Sequence, residues 1–196
     1  MILTPGNAVP MLFAAGPNLL FQDNKLDPGP LRHVVRCLAT GILHHHDFDR
    51  DAESLVVADT MRAQAPVLRS KYAALWSRLD ETCGTGGRVL FMRGWWAVLQ
   101  HPDSAPRQDP VGGYDFEGVV SSIGARYPRL DFEMMFVNYG PRTIADPRAR
   151  FVDVDYSREA CDWRGSDLGW DEVFDGIELT PAGMTTRQQL AALAQA

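Results

Sequence analysis

The sequence has few cysteines, no long apolar run and none of the common nucleophile or nucleotide motifs. Its three cysteines, Cys37, Cys83 and Cys161, are widely spaced and form no CxxC pair. This pattern favours free thiols in a reducing compartment over a disulfide framework. The apolar run at residues 11–15 is too short to span a bilayer. We therefore expect a cytoplasmic protein that is not embedded in a membrane.

Basic residues are fewer than acidic residues, so the formal net charge is −6 at pH 7. Nucleic-acid binding requires a basic surface, and the arginines between residues 142 and 150 are offset by nearby aspartates. We expect no nucleic-acid partner. No GxSxG elbow, Walker loop or GxGxxG occurs, and Gly84-Thr85-Gly86-Gly87 precedes a strand, so it reads as a turn.

The pattern of apolar residues predicts helices that alternate with strands. Residues 1–30 are rich in Pro and Gly and read as irregular, with a short strand at 19–21. Pro66 is expected to end one helix or begin the next. The predicted helices cover 31–38, 51–63, 67–79 and 116–125, with a helical turn at 170–174 and a terminal helix at 185–196. The predicted strands cover 42–43, 88–93, 131–138 and 151–154.

The continuous apolar run Val89-Leu90-Phe91-Met92 is typical of a strand buried on both faces of a parallel sheet. The alternation predicts an α/β fold, a three-layer sandwich with a mostly parallel sheet in a single domain. We expect residues 1–40 to pack on this core as an irregular segment. Residues 41–180 would form the α/β domain, and 181–196 a C-terminal helix or tail.

Three adjacent histidines, His44, His45 and His46, stand between an apolar pair and two acids, Asp47 and Asp49. The run allows three interpretations. His44 and His46 share one side of an extended chain and could bind a divalent transition metal with Asp49. Alternatively, His46 is a general base whose tautomer is fixed by Asp47 or a distant acid. The third interpretation is a structural polar loop.

Residues at the carboxyl ends of parallel strands gather at one edge of a sheet, where α/β proteins bind ligands. By that rule residues 44–49, 93–96, 138–142 and 153–156 should converge. Arg93 could clamp a carboxylate or phosphate, with an ordinary salt bridge as the alternative. Trp95 and Trp96 could form the floor of a pocket, or divide between core and rim. Asn138 lies in the same predicted edge.

In the order of several short motifs, the chain resembles a bacterial family described as papain-like cysteine peptidases. The family is defined by a domain of unknown function. The resemblance covers about residues 40–178. The motifs are His46-Asp47-Phe48, a helix with Tyr72, Val89-Leu90-Phe91-Met92-Arg93, Met135-Phe136-Val137 and Asp167-Leu168-Gly169-Trp170. In this family a Ser-Leu-Gly-x-x-Cys motif supplies the presumed nucleophile. The present sequence has no such motif, and Cys37 is its only cysteine upstream of the histidines.

The resemblance implies a hydrolase with His46 as general base, and its catalytic candidates are His46, Asp47, Cys37 and Asp167. The substrate-binding candidates are Arg93, Trp95, Trp96 and Asn138. An alternative is a non-enzymatic module that binds an anionic or carbohydrate ligand, and a second is a metal-dependent hydrolase built on His44–His46. The leading interpretation requires no cofactor and no metal. The expected partner is a small molecule, a peptide or a glycan.

Overall fold

The computed structural model describes residues 2–3, 7–29, 32–44, 46–94, 114–154 and 167–175. The helices are α1 (Ala8–Ala15), α2 (Ala58–Gly84), α3 (Phe116–Arg126) and α4 (Asp167–Asp175). The strands are β1 (Ile2–Leu3), β2 (Leu26–Asp27), β3 (Val35–Cys37), β4 (Leu43–His44), β5 (Val89–Gly94), β6 (Phe132–Val137) and β7 (Ala149–Val152). The mixture of helices and strands is as predicted, whereas the three-layer sandwich is not confirmed.

The chain forms two compact units. The first comprises Met1–Gly84 and Val111–Pro128, and the second comprises Thr85–Pro110 and Arg129–Ala196. The predicted single domain is therefore not confirmed. The predicted terminal helix at 185–196 lies outside the described residues. Within the described residues, no helix is both long and apolar enough to cross a membrane.

The second unit contains the predicted parallel sheet, with strand order β5-β6-β7. Its central strand, β6, is buried along almost its whole length, which explains its continuous apolar sequence. Met135 and Val137 of β6 join Val154 in a core against which Trp170 of α4 packs. The predicted positions of β5, β6 and β7 are therefore confirmed to within two residues.

The first unit contains a second sheet that the sequence did not predict. It is antiparallel, has the order β1-β4-β3-β2, and consists of strands of two or three residues. The helix predicted at 31–38 is wrong, because β3 occupies Val35–Cys37. Val35 and Cys37 are buried and Arg36 is exposed, so the apolar spacing that suggested a helix serves the alternation of a strand.

The long helix α2 runs through Pro66, so the predicted break there is wrong. Pro66 lies on the exposed face, where water can hydrate the carbonyl that receives no helical hydrogen bond. The predicted helix at 51–63 is correct only from Ala58 onward. Before it, the Asp51 carboxylate accepts hydrogen bonds from the backbone of Glu53 and Leu55, a local turn that competes with helix formation.

The N-terminal segment is more ordered than predicted. Helix α1 forms at Ala8–Ala15, and Pro10 is tolerated because it stands in the first turn, where backbone N–H groups have no helical partner. The strand predicted at 19–21 is wrong. Pro17–Leu19 forms a 3-10 turn, and Phe21 has a left-handed backbone with φ of 55°.

Asp115 caps the N-terminus of helix α3, because its side chain accepts a hydrogen bond of 2.7 Å from the backbone N–H of Gly118. At its other end, the Arg126 guanidinium donates to both carboxylate oxygens of Asp80 on α2. Tyr127 donates to the same carboxylate at 2.6 Å, and Trp76 lies 5.1 Å from the guanidinium. This cluster joins α2 to the end of α3.

Candidate functional site

Three side chains of the first unit meet the carboxylate of Asp47. His44 Nδ1 lies 3.0 Å from Oδ2. The Tyr72 hydroxyl donates to Oδ1 at 3.1 Å and to Oδ2 at 3.0 Å. Lys71 Nζ lies 3.3 Å from Oδ1. Strand β4 ends at His44, the chain turns at Asp47, and α2 presents Lys71 and Tyr72, so two segments distant in sequence build the cluster.

The cluster fixes Asp47 in its charged form. Burial on its own would raise the pKa of this carboxyl, but the hydrogen bonds from His44, Tyr72 and Lys71 and the attraction to His44 lower it to about 2. Burial and the adjacent Asp47 charge raise the pKa of Tyr72 above its ordinary value. At neutral pH, Asp47 is therefore an acceptor and Tyr72 is a protonated donor.

An ionised carboxylate can only accept, so His44 must carry a proton on Nδ1 and donate it to Asp47. The side chain of His44 is only 1% exposed. Its other nitrogen, Nε2, is buried and has no hydrogen-bond partner among the described residues. A buried polar atom without a partner costs roughly 1–3 kcal/mol, so this nitrogen requires an explanation.

Aromatic rings surround the imidazole. The ring centroid of Phe21 lies 4.5 Å from that of His44, while the centroids of Tyr72 and Phe48 lie at 6.3 Å and 6.4 Å. The Tyr72 and Phe48 rings stand edge-on to the imidazole. Within the described part of the chain, these three ring contacts of the imidazole are all with aromatic side chains. A low-polarity pocket of this kind strengthens the hydrogen bond between His44 and Asp47.

The predicted catalytic residues are only partly brought together. Asp47 contacts His44, whereas His46, the predicted base, is exposed. Cys37 is completely buried, and its Sγ donates to the carbonyl oxygen of Leu19 at 3.4 Å. Asp167 begins α4 in the second unit, and its side chain lies outside the described residues. His45 lies outside them as well.

Cys37 nevertheless lies on the same side of the antiparallel sheet as His44. Val35 is paired with His44, and Cys37 follows two residues later in the same strand. Such diagonal neighbours are separated by about 7–8 Å between their Cα atoms. Within the described chain, no hydrogen bond links the Cys37 thiol to a histidine. The two side chains are near neighbours that are not in contact through polar atoms.

The predicted ligand-binding residues belong to the second unit. Arg93 lies near the carboxyl end of β5, and its Nε donates to the Tyr139 hydroxyl at 3.1 Å. Asn138 follows β6 with a positive φ of 63°, and its side-chain oxygen accepts from the backbone N–H of Val154. Arg142 Nε donates to the Tyr139 carbonyl oxygen. Trp95 and Trp96 lie outside the described residues.

Two residues of the cluster carried signals that sequence reasoning undervalued. The sequence predicts His44 only as a metal ligand, although it precedes Asp47 by three residues, a spacing that allows the two side chains to meet in a turn. Tyr72 enters the sequence prediction only as part of a helix in the family resemblance. A hydroxyl in an otherwise aliphatic and aromatic stripe usually finds a polar partner when it is buried.

No grouping of three or more His, Cys, Asp or Glu side chains suited to a metal ion is present in the described part of the chain. The metal-dependent alternative stays a prediction, since it depends partly on His45. Comparison with protein-family models, with curated proteins and with solved structures gives no match.

Proposed function

We propose that this protein is a hydrolase in which His44, oriented by Asp47, is the general base. The observation that carries the proposal is the contact between His44 Nδ1 and Asp47, while the buried Nε2 has no hydrogen-bond partner among the described residues. A carboxylate that holds one imidazole nitrogen while the other faces a reacting group is the arrangement by which many enzymes activate a nucleophile.

The proposed reaction depends on which ring nitrogen of His44 carries the proton. Since Nδ1 carries the proton, Nε2 of the neutral ring presents a lone pair that can take a proton from a thiol or from water. Asp47 then stabilises the imidazolium that forms. Tyr72 and Lys71 hold Asp47 in place and keep it ionised. His44 takes the role that the resemblance to papain-like peptidases assigned to His46.

Cys37 is the nucleophile we assign to this site, because it lies diagonally across the sheet on the same side as His44. In the proposed reaction Nε2 removes the thiol proton, and the thiolate attacks a carbonyl carbon to form an acyl-thioester. The imidazolium returns the proton to the leaving group. Water, deprotonated by Nε2, then hydrolyses the thioester and regenerates the thiol. Because Cys37 and His44 are both buried, the site must open before a substrate can reach them.

The test is the pH dependence of alkylation of each cysteine by iodoacetamide, followed by mass spectrometry of the peptides. We expect Cys37 of the wild type to react faster at pH 7 than Cys83, the pKa of whose thiol is raised by burial. In His44→Asn, an amide N–H can still donate to Asp47 but Nε2 is lost. Alkylation of Cys37 should then slow to the rate of Cys83.

His46→Gln is the matched control, because it changes an exposed histidine of the same run and should leave the alkylation of Cys37 unaltered. Equal and slow alkylation of Cys37 and Cys83 in the wild type and in His44→Asn would refute thiol catalysis. A panel of activated esters measures turnover directly. Hydrolysis that survives Cys37→Ala but not His44→Asn would assign water as the nucleophile.

A second candidate function, the binding of an anionic ligand, is favoured by the second unit. Two arginines meet around Tyr139, with Arg93 at its hydroxyl and Arg142 at its carbonyl oxygen. Arg93 lies next to the last residue of β5 and Arg142 follows β6 by five residues, at the sheet edge where parallel sheets bind ligands. Titration with inorganic phosphate and with a nucleotide sugar should change the spectroscopic signal of Tyr139 in the wild type. Arg93→Gln should abolish the response, while Arg129→Gln, at an exposed arginine, should not.

A further inference from the structure

Phe21 combines two unusual features of the first unit. Its backbone is left-handed, with φ of 55°, although it is a bulky residue and is completely buried. A non-glycine residue of this size rarely adopts that conformation, because its Cβ approaches the backbone too closely. Such strain persists only where the surrounding structure holds it, and it is concentrated at functional sites.

The surrounding contacts identify what holds Phe21. The Arg69 guanidinium, on α2, donates to the Phe21 carbonyl oxygen at 2.8 Å. The ring lies 4.5 Å from the imidazole of His44 and 4.8 Å from the ring of Tyr72. Two short 3-10 turns, Pro17–Leu19 and Asp23–Lys25, flank the residue. One charged hydrogen bond and one aromatic cluster therefore hold a strained residue between two weak elements.

We propose that Phe21 is a positioning residue, held by Arg69, that keeps the His44 imidazole in place and closes Nε2 off from water. The inference rests on the proposed role of His44 as a base. Its strained backbone places the ring against the imidazole, where it occupies space that water would otherwise fill. Release of the Arg69 hydrogen bond lets Phe21 leave the left-handed conformation, which opens the way to Nε2.

The test is the rate at which diethylpyrocarbonate modifies each histidine, measured by tandem mass spectrometry. The reagent attacks an accessible, unprotonated ring nitrogen. His46 is exposed and lies in the same peptide, so it is the internal reference. In the wild type we expect His44 to react at least about ten-fold more slowly than His46, because reaction requires local opening.

Two variants should release His44. Phe21→Gly removes the ring but favours the same φ, so the turn is preserved without strain. Arg69→Gln removes the guanidinium that holds the Phe21 carbonyl. Phe21→Gly removes the ring that covers Nε2, and Arg69→Gln removes a hydrogen bond from a charged donor, which shifts an equilibrium about ten-fold or more. The rate at His44 should therefore rise by at least about ten-fold in each variant. The rate at His46 should not change.

Arg62→Gln is the matched control, since Arg62 is an exposed arginine of the same helix, and both rates should stay as in the wild type. Circular dichroism establishes that each variant is folded. If Phe21→Gly does not fold, Arg69→Gln decides alone. A folded variant with an unchanged rate at His44, or a wild type in which His44 and His46 react equally fast, would overturn the proposal. No step of the measurement requires hydrolysis, so its outcome is independent of whether the protein proves to be a hydrolase.

Discussion

Asp47 accepts the hydrogen bond from the buried His44 imidazole. The lowered pKa of its carboxyl gives a prediction that can be measured. Its pKa falls from an ordinary value of 3.8 to about 2 in the folded chain. Folding therefore stabilises the ionised form. The contribution is fully present above the unfolded pKa, and it is lost as the pH falls through about 2.

We expect the stability gap between the wild type and Asp47→Asn to shrink by about 2 kcal/mol between pH 6 and pH 2. The measurement is the free energy of unfolding in urea at a series of pH values. Asp49→Asn, which changes an exposed carboxylate two residues away, is the control. A gap for Asp47→Asn that stays constant with pH, or one that shrinks equally for Asp49→Asn, would contradict the assigned network.

The same residues mark the limit of sequence reasoning at this scale. The density of histidines and acids directed attention to the run that contains His44 and Asp47, which contact each other, whereas Asp47 was predicted to orient His46. The choice between His44 and His46 depended on which one the turn buries, and that depends on Phe21 and Tyr72, which are distant in sequence. Local spacing contains no information about those contacts.

Helix α2 gives a prediction at the scale of the element, because Pro66 interrupts its hydrogen bonding at an exposed position. Proline is about 3 kcal/mol less favourable than alanine inside a helix, and its rigidity in the unfolded chain offsets about 1 kcal/mol of that. We expect Pro66→Ala to raise the free energy of unfolding by about 2 kcal/mol, measured by urea denaturation.

Pro10→Ala is the matched control for Pro66→Ala. Pro10 stands in the first turn of α1, where alanine would gain no helical hydrogen bond, so we expect a change of less than about 0.5 kcal/mol. An equal gain in the two variants would contradict the assignment of the effect to the interrupted helical hydrogen bonding at Pro66.

The parallel sheet gives the second prediction at this scale. Met135, in the central strand β6, is completely buried, whereas Met92, in β5, is 40% exposed. Met135→Ala should cost about 2–5 kcal/mol through lost contacts and a cavity, and Met92→Ala less than about 0.5 kcal/mol. Hydrogen exchange of the amides in β5, β6 and β7 measures the difference. Equal exchange in the two variants would contradict the assigned burial.

At the scale of the whole molecule, the two sheets explain which parts of the fold could be predicted. Strands β5, β6 and β7 have long apolar runs that identify them without their partners. Strands β1 and β4 have two residues each, and among the described strands β1 pairs only with β4, which lies about forty residues later in the sequence. The strand predicted at 42–43 overlaps β4, but periodicity cannot reveal the pairing of elements that short, so the antiparallel sheet as a whole was missed.

The acidic charge of the whole chain, −6 at pH 7, yields the broadest prediction. Binding to DNA or RNA without sequence specificity requires cationic side chains that neutralise several phosphates and release counterions. We expect no change in the fluorescence anisotropy of a labelled DNA duplex or RNA strand at about 50 mM salt and up to about 10 µM protein. Binding that weakens steeply with salt would contradict this expectation and would require a local basic surface that outweighs the net charge. Binding of free phosphate without binding of the duplex would instead support a compact anion site such as the arginines around Tyr139.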